Sequence, residues 1–295
     1  MLPRVASRAL AAALVLVAAC RSSPVVVASK PFTEQRILGE LLAQTIEEAG
    51  LRVQRRLGFG DTLVLDAALR AGKIDTYVEY TGTALAEVLH DQRRGDPSET
   101  FTTVRDAYAA ADLEWMRPLG FDDAFAVVVR GDDAARLKLA KVSELGAHAA
   151  KLVAGVPIGF GDRADGWQAF MRAYGLHFTR VRQIDPAARY DALTVYDAFG
   201  SGASVDLVIG NATDGEIAHR KLTVLEDDKA FFPTYEAAPV VRRETLRRHP
   251  ELVDALNGLG GTLAPDVIRQ LNWRVSGEGQ DVAAVVRAFR KAQQR

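Results

Sequence analysis

The chain has 295 residues, of which 48% are hydrophobic and 25% are charged, as in an ordinary globular protein. Its 37 basic and 38 acidic residues nearly cancel, so neither a basic surface for nucleic acid nor an acidic tail is indicated. About 275 residues follow the N-terminal segment, which is more than a typical single core accommodates and predicts two lobes or domains.

The first 20 residues have the pattern of an export signal. Two basic residues, Arg4 and Arg8, precede an apolar run from Ala9 to Ala19. This run is too short to span a bilayer, which takes about 20 apolar residues. It fits the apolar region of a secretory signal peptide over residues 1–19.

The signal ends in the letters VAAC, which resemble the lipobox of bacterial lipoproteins. The resemblance implies cleavage before Cys20, lipidation of its sulfur and a short tether over residues 20–24. Cys20 is the only cysteine of the chain, so the mature protein is expected to have no disulfide and no thiol nucleophile. The alternative is a buried structural cysteine in an ordinary N-terminal helix.

Strand-like and helix-like segments alternate from residue 24 onward. Apolar runs predict buried strands in PVVVASK, RVQRRLGF and IDTYVEY. Helical spacing predicts helices in FTEQRILGELLAQTIEEAG, with Gly50 as its stop, and in DTLVLDAALRAG. This alternation predicts an α/β sheet with right-handed crossovers. Further strands are predicted in FAVVVR, LVAGVPIGF, VDLVIG and LTVLEDD, and EAAPVVRR leads into a helical tail.

One economical layout has the chain enter a second lobe and later return to the first. It predicts lobe one over residues 25–124 plus 235–295 and lobe two over residues 125–234. The two crossing segments would form a hinge over a cleft.

Five segments carry a resemblance to a known family, in the right order from about residue 25 to the C-terminus. They resemble the osmoprotectant substrate-binding proteins of ABC importers, the ProX and OpuC-type receptors for glycine betaine, choline and carnitine. The resemblance implies a two-lobed periplasmic-binding-protein fold that closes on its ligand by hinge motion. The segments are ASKPFTEQRILGELLAQTIEEAGL, ALRAGKIDTYVEYTGTAL, GDRADGWQAFMRAYGL, NATDGEIA and LEDDKAFFPTYEAAPVVR.

Such ligands impose a two-part site. A quaternary ammonium ion has no proton to donate, so aromatic faces hold it by cation–π attraction of about 0.5–2 kcal/mol each. A betaine also carries a carboxylate, which needs basic or hydroxyl donors once water is removed. The site must therefore combine an aromatic box with a cationic clamp.

The family's box has four tyrosines, and the resemblance places each of them on a residue of this chain. Tyr80 and Tyr235 match two of them, and Phe125 keeps the aromatic face at a third position. The fourth position falls on Asn211, an amide. This change is expected either to enlarge the box for a bulkier cation or to offer a hydrogen bond to the ligand.

The clamp that the resemblance implies consists of Lys30, Thr83 and Arg163. A neutral Thr83 does not repel a carboxylate, so the set favours a zwitterion over choline. The backbone carbonyl of Asp123 is expected to face the methyl groups. Trp167 is a further candidate, which would cover the box in place of the missing wall.

Each candidate also has a purely structural interpretation. Tyr80 is also consistent with a half-buried strand residue, and Phe125 and Tyr235 with hinge packing. Lys30 is also consistent with a solvated strand end, and Arg163 with a partner of neighbouring aspartates on the surface. Without the resemblance these interpretations would be preferred for Tyr80 and Lys30.

Enzymatic chemistry has little support in the sequence. The five histidines are scattered without metal-ligand spacing, and neither a GxSxG elbow nor a P-loop is present. We predict no catalytic residue, no metal and no cofactor. An exported hydrolase and a structural envelope lipoprotein remain as alternatives, and turnover of ester or amide substrates would identify the first.

The sequence as a whole predicts a monomeric, lipid-anchored receptor outside the cytoplasm. It would deliver a betaine-type zwitterion to a membrane permease with a cytoplasmic ATPase, and it would not bind nucleic acid. Carnitine, choline and an ergothioneine-like betaine are alternative ligands in the same role.

Overall fold

The computed structural model of the chain describes residues 23–91, 96–161, 166–185, 188–194 and 205–293. Within these ranges no helix combines the length and the apolar character that crossing a membrane requires. The predicted signal peptide and Cys20 lie outside the described residues.

The first sheet has five strands in the order β2-β1-β3-β10-β4. Strand β1 is parallel to β2 and to β3, whereas β10 is antiparallel to β3 and to β4. The central strands are buried and mostly apolar, as expected for a sheet covered on both faces. The strands are β1 (Val25–Ala28), β2 (Val53–Arg56), β3 (Thr76–Tyr80), β4 (Leu113–Trp115) and β10 (Ala237–Arg242).

The second sheet also has five strands, in the order β7-β6-β8-β5-β9. Strand β6 is parallel to β7 and β8, and β5 is antiparallel to β8 and β9. The strands are β5 (Phe125–Arg130), β6 (Val153–Pro157), β7 (Arg180–Ile184), β8 (Leu207–Asn211) and β9 (Leu222–Leu225). Both sheets are therefore mixed, with parallel and antiparallel neighbours.

Twelve α-helices occur in the described part of the chain, most of them packed on the sheets. They are α1 (Thr33–Glu48), α2 (Thr62–Arg70), α3 (Thr81–Thr83), α4 (Pro97–Ala109), α5 (Gly131–Leu137), α6 (Trp167–Tyr174), α7 (Arg189–Thr194), α8 (Gly215–His219), α9 (Arg243–Arg248), α10 (Glu251–Asn257), α11 (Pro265–Ser276) and α12 (Val282–Gln293). Helix α3 continues as a π-helical segment, Ala84–Val88, and short 3₁₀ segments lie at Val142–Ala147 and Ala149–Lys151.

The chain crosses between the two sheets twice. It passes from β4 to β5 and returns from β9 to β10. The two crossings lie side by side: Asp122 pairs with Glu236, and the Asp123 N–H donates to the Tyr235 carbonyl at 3.2 Å. The two-lobed α/β fold is confirmed. The exact lobe boundaries, near residues 125 and 235, remain a prediction. They lie at these two crossings.

Helix α11 makes a further contact between the lobes. It packs on α1 of lobe one through Ile268 and Leu271. It also reaches lobe two, where Arg269 donates to the Ala212 carbonyl at 2.6 Å and Trp273 stacks on His219 with ring centroids 3.7 Å apart. Helix α11, near the C-terminus, therefore helps to hold the two lobes together.

Candidate ligand-binding site

A cavity of about 700 Å³ lies between the two lobes. We call it the first cavity. Among its lining residues are seven of the eight residues that the Sequence analysis proposes for the site: Lys30, Tyr80, Thr83, Asp123, Phe125, Asn211 and Tyr235. The eighth, Arg163, lies outside the described residues.

Strand ends bring these residues to one place. Strands β1 and β3 are parallel, so Lys30 and Tyr80 meet at the carboxyl edge of the first sheet, where ligands bind in open α/β sheets. Tyr235 approaches the same edge across Gly82, where an added Cβ would lie 3.0 Å from the Tyr235 ring. The same Cβ would lie 2.3 Å from the Thr234 carbonyl oxygen, so a side chain at position 82 would push away the Thr234 backbone together with the Tyr235 ring.

Phe125 and Asn211 face each other from lobe two. They are paired residues at the ends of the antiparallel strands β5 and β8. The Phe125 ring packs against Phe160 at 5.1 Å and against Phe232 at 6.1 Å between centroids. This packing keeps the Phe125 wall in one orientation.

Phe32 is an aromatic wall that the sequence analysis missed. It lines the first cavity, is 46% exposed, and stacks on Tyr80 with ring centroids 6.4 Å apart and planes 16° from parallel. The signal was present, because Phe32 lies two residues after Lys30, just beyond the end of β1. The cavity thus has four aromatic side chains, although Asn211 stands at one of the expected positions.

The Tyr80 ring is fixed by its hydroxyl group. The hydroxyl donates to Glu34 Oε1 at 2.6 Å, and Glu34 Oε2 accepts from Asn272 Nδ2 at 2.9 Å. Burial raises the pKa of Glu34, opposed by these hydrogen bonds, and burial also raises the pKa of Tyr80. The Tyr80 ring therefore lines the cavity while its polar end stays within a buried network.

Lys30, which is predicted to belong to the carboxylate clamp, forms an ion pair inside the protein. Its Nζ lies 2.6 Å from Glu79 Oε1, and the two side chains are 7% and 0% exposed. Burial raises the pKa of Glu79, and the charge of Lys30 opposes that shift. Much of the Lys30 charge is therefore compensated inside the protein. An acid within an otherwise mostly apolar, buried strand was the sequence signal for such a partner.

The acids of the first cavity favour a cation. Among the described lining residues, Asp61, Glu87 and Asp123 are acidic and Lys30 is the one basic side chain. Asp123 Oδ1 accepts from the Thr213 hydroxyl at 2.6 Å. Burial, and next the charge of Glu34, hold the pKa of Asp123 well above its usual value.

Trp167 does not line the first cavity. It is 3% exposed and packs against Phe170 at 5.6 Å and Phe178 at 5.3 Å between ring centroids. Its ring therefore belongs to the core of lobe two, and the suggestion that it covers the box is corrected. Phe231 and Phe232 lie in the same core.

No metal site accompanies this arrangement in the part of the chain that the structure describes. Within it, no group of three or more His, Cys, Asp or Glu side chains is placed to hold a metal ion. The described lining of the first cavity offers aromatic faces, carboxyl groups and hydroxyl groups.

The raised pKa of Asp123 leads to a testable pH dependence. Glu34 and Asp214, the charged groups that face Asp123, both raise its pKa, and Thr213 opposes them. A bound cation favours ionised Asp123, so binding releases protons and the affinity for choline should rise with pH while Asp123 titrates. Calorimetric titrations across a pH series measure this slope.

The matched control for this prediction is Asp123→Asn, which keeps the shape of the side chain and removes its titration. The variant should lose most of the pH slope. A wild-type affinity that does not change with pH, or an unchanged slope in the variant, would contradict the role given to Asp123.

Comparison with known protein families gives a match over most of the chain. The model of the family described as the substrate-binding domain of ABC-type glycine betaine transport systems matches residues 23–292.

Curated relatives agree with this match. A glycine-betaine-binding protein of Pseudomonas aeruginosa is 33% identical over 274 residues, which cover 89% of this chain and 86% of that protein. The ergothioneine transport permease and binding protein EgtU of Helicobacter pylori is 32% identical over 259 residues. That match covers 87% of this chain, which spans 45% of the length of EgtU.

Solved structures are similar over nearly the whole chain. A glycine betaine/carnitine/choline ABC transporter structure superposes with a TM-score of 0.87 at 29% identity, covering 92% of this chain and 98% of that one. The ligand-free YehZ structure from Escherichia coli gives a TM-score of 0.83 at 27% identity, covering 92% and 99%.

Proposed function

This chain belongs to the family of substrate-binding domains of ABC-type glycine betaine transport systems, and from that premise we propose that it binds a betaine-type zwitterion in the first cavity. Its relatives and fold are those of substrate-binding proteins of ABC importers, not of enzymes. Such proteins work outside the cytoplasm.

The observation that carries the proposal is the convergence of aromatic rings on an acid-lined cavity between two lobes. Phe32, Tyr80, Phe125 and Tyr235 all line it. Rings attract a quaternary ammonium group through their π faces, and the attraction strengthens when water is excluded. The acids add Coulombic attraction for the same end of the ligand.

The anionic end of the ligand needs donors of its own. In the proposed site, Arg163 grips the carboxylate through two parallel hydrogen bonds, and the Thr83 hydroxyl adds a neutral donor. Lys30 contributes less than the sequence suggested, because Glu79 already accepts from its ammonium group at 2.6 Å. The Asp123 carbonyl is proposed to face the methyl groups.

The transport cycle follows from the fold and the family. In the proposed cycle the lobes close over the ligand at the two crossings, and the closed form delivers it to a membrane permease with a cytoplasmic ATPase. Cys20 is proposed to carry the lipid that holds the protein at the membrane.

The identity of the ligand depends on one departure from the family pattern. Asn211 stands where the family resemblance places an aromatic wall, and we propose that its shorter side chain accommodates a ligand larger than glycine betaine. Two relatives are named for such larger ligands, carnitine and ergothioneine. Carnitine and larger betaines are therefore the preferred candidates within the proposed class.

A calorimetric panel tests the proposed function. Wild-type protein should bind betaines, and Phe125→Ala should weaken the binding about fivefold to thirtyfold, the equivalent of about 1–2 kcal/mol of cation–π attraction and contact. The matched control is Phe59→Ala, which removes a 41% exposed ring that does not line the first cavity.

The control should stay within about twofold of the wild type. Circular dichroism confirms that both variants are folded at the temperature of the titration. Absence of binding to every betaine in the panel, or equal losses in the two variants, would contradict the proposal.

A further inference from the structure

The one basic side chain in the described lining of the first cavity lies close to an aromatic wall of that cavity. Lys30 Nζ is 5.1 Å from the centroid of the Tyr80 ring. This distance is within the range of about 6 Å over which a cation and an aromatic ring attract each other. An ammonium group of the protein therefore lies beside a ring that is proposed to hold the ammonium group of the ligand.

Two positive charges near one ring repel each other. The repulsion is stronger in a cavity between two lobes than in bulk water, because the effective dielectric constant is lower there. An uncompensated lysine at this place would weaken the binding of a ligand whose net charge is positive. A zwitterion would be affected less, because its carboxylate is attracted to the same lysine.

Glu79 compensates the charge of Lys30 from behind the cavity wall. Successive side chains of a strand point to opposite faces of the sheet, so Glu79 points away from Tyr80, its neighbour in β3. Its side chain is 0% exposed and does not line the first cavity, yet its Oε1 lies 2.6 Å from Lys30 Nζ. A ligand in the first cavity therefore meets Lys30 but not Glu79.

The carboxylate of Glu79 is itself held in place. Its Oε1 also accepts a hydrogen bond from the backbone N–H of Tyr80, at 2.7 Å. Burial raises the pKa of Glu79, and the charge of Lys30 and this backbone hydrogen bond oppose the shift. The amide and the ammonium group thus both favour the ionised carboxylate, and the carboxylate in turn fixes the position of the ammonium group.

We propose that Glu79 is a positioning residue that determines the charge selectivity of the first cavity. By holding and compensating Lys30, it allows the aromatic walls to accept a plain quaternary ammonium ion such as choline as well as a zwitterion such as glycine betaine. Without the charge of Glu79, Lys30 would select for the zwitterion. This inference deepens the proposed function of the first cavity and rests on it.

The variant Glu79→Gln tests the proposal, because it removes the charge and keeps the size of the side chain. Choline and glycine betaine share a trimethylammonium group and differ at the other end, which is a hydroxyl group in choline and a carboxylate in glycine betaine. Calorimetry should find that the variant binds choline at least about tenfold more weakly than the wild type and glycine betaine within about threefold. A titration at pH 6 is far below the range in which a lysine normally loses its proton.

The ratio of the two affinities separates this role from a purely structural one. A general loss of structure weakens the binding of both ligands alike and leaves the ratio unchanged. The conservative variant Glu79→Asp keeps the charge, so its ratio should stay within about threefold of the wild type. A Glu79→Gln ratio within threefold of the wild type would overturn the inference, and so would an equal change of the ratio in Glu79→Asp.

The matched control is Glu114→Gln, which removes another acid of the first sheet. Glu114 lies in β4, pairs with Arg243 at 2.8 Å and does not line the first cavity. The ratio should stay within about twofold of the wild type in this control. A shift as large as that of Glu79→Gln would show that the loss of any acid changes the selectivity, which contradicts a specific role of Glu79.

A measurement on the wild type keeps the inference testable if Glu79→Gln does not fold. In a crystal structure with glycine betaine bound, Lys30 Nζ should remain within about 3.2 Å of Glu79 Oε1. An ammonium group that has left Glu79 and contacts only the carboxylate of the ligand would overturn the inference.

Failure of the proposed function gives a different result. If the wild type binds neither choline nor any betaine, the assignment of the first cavity fails and this inference fails with it. If a betaine binds and choline does not, the first cavity stands and only the role given to Glu79 is wrong.

Discussion

Replacing Tyr80 by alanine is expected to weaken glycine betaine binding by at least about tenfold, which corresponds to about 1.4 kcal/mol. The ring is a wall of the first cavity, so its removal takes away cation–π attraction of about 0.5–2 kcal/mol together with packing against Phe32. Isothermal titration calorimetry of the purified protein measures the change.

The conservative control is Tyr80→Phe, which keeps the ring and removes the hydroxyl group that donates to Glu34. It should retain most of the affinity and lose some stability, because one oxygen of a buried carboxyl group then lacks its donor. Affinity of Tyr80→Ala within threefold of the wild type would remove Tyr80 from the site. An equal loss in both variants would assign the effect to the hydroxyl group.

Replacing Lys30 by methionine is expected to lower the free energy of unfolding by about 3–5 kcal/mol. The substitution leaves Glu79 with its side chain 0% exposed and without the ammonium group that lies 2.6 Å away. An uncompensated charge at such a site is costly. The backbone N–H of Tyr80 still donates to Glu79 Oε1, at 2.7 Å, but it carries no charge. Urea denaturation followed by circular dichroism measures the loss.

The double variant Lys30→Met with Glu79→Gln should recover most of this stability, since it removes both charges together. The matched control is Arg105→Met, which breaks an ion pair with Asp106 whose side chains are 44% and 64% exposed. That loss should stay below about 1 kcal/mol. A Lys30→Met loss as small as the control would show that the buried pair does not stabilise the fold.

The sequence was informative where strand ends determine position. Lys30 and Tyr80 follow apolar runs, and parallel strands bring such ends to one edge, so their meeting in one cavity was predictable. Phe125 and Asn211 were proposed through the family resemblance, and the antiparallel pairing of their strands places them opposite each other.

Side-chain partners that are distant in the sequence were harder to predict than the aromatic residues that line the first cavity. The partner of Lys30 is Glu79, 49 residues further along the chain, and only the pairing of β1 with β3 brings the two together. Asn272 is 238 residues from Glu34, and its role depends on how α11 packs between the lobes. Hydrophobic spacing contains no information on such contacts.

The sequence patterns also did not predict the direction of the strands. Apolar runs predict buried strands but not whether a neighbour runs parallel or antiparallel. Strands β5 and β10 are antiparallel to their neighbours because each follows a crossing from the other lobe instead of a helix within its own sheet. Trp167 was misjudged for a related reason, since its position near Arg163 in sequence did not indicate which side of α6 faces the core.

The central claim is that aromatic walls between the lobes hold a cationic group that has no proton to donate. A crystal structure of the protein with glycine betaine tests it most directly. We predict the trimethylammonium nitrogen within about 6 Å of the ring centroids of Tyr80, Phe125 and Tyr235. A well-occupied ligand located elsewhere, with these rings contacting only protein, would contradict the claim.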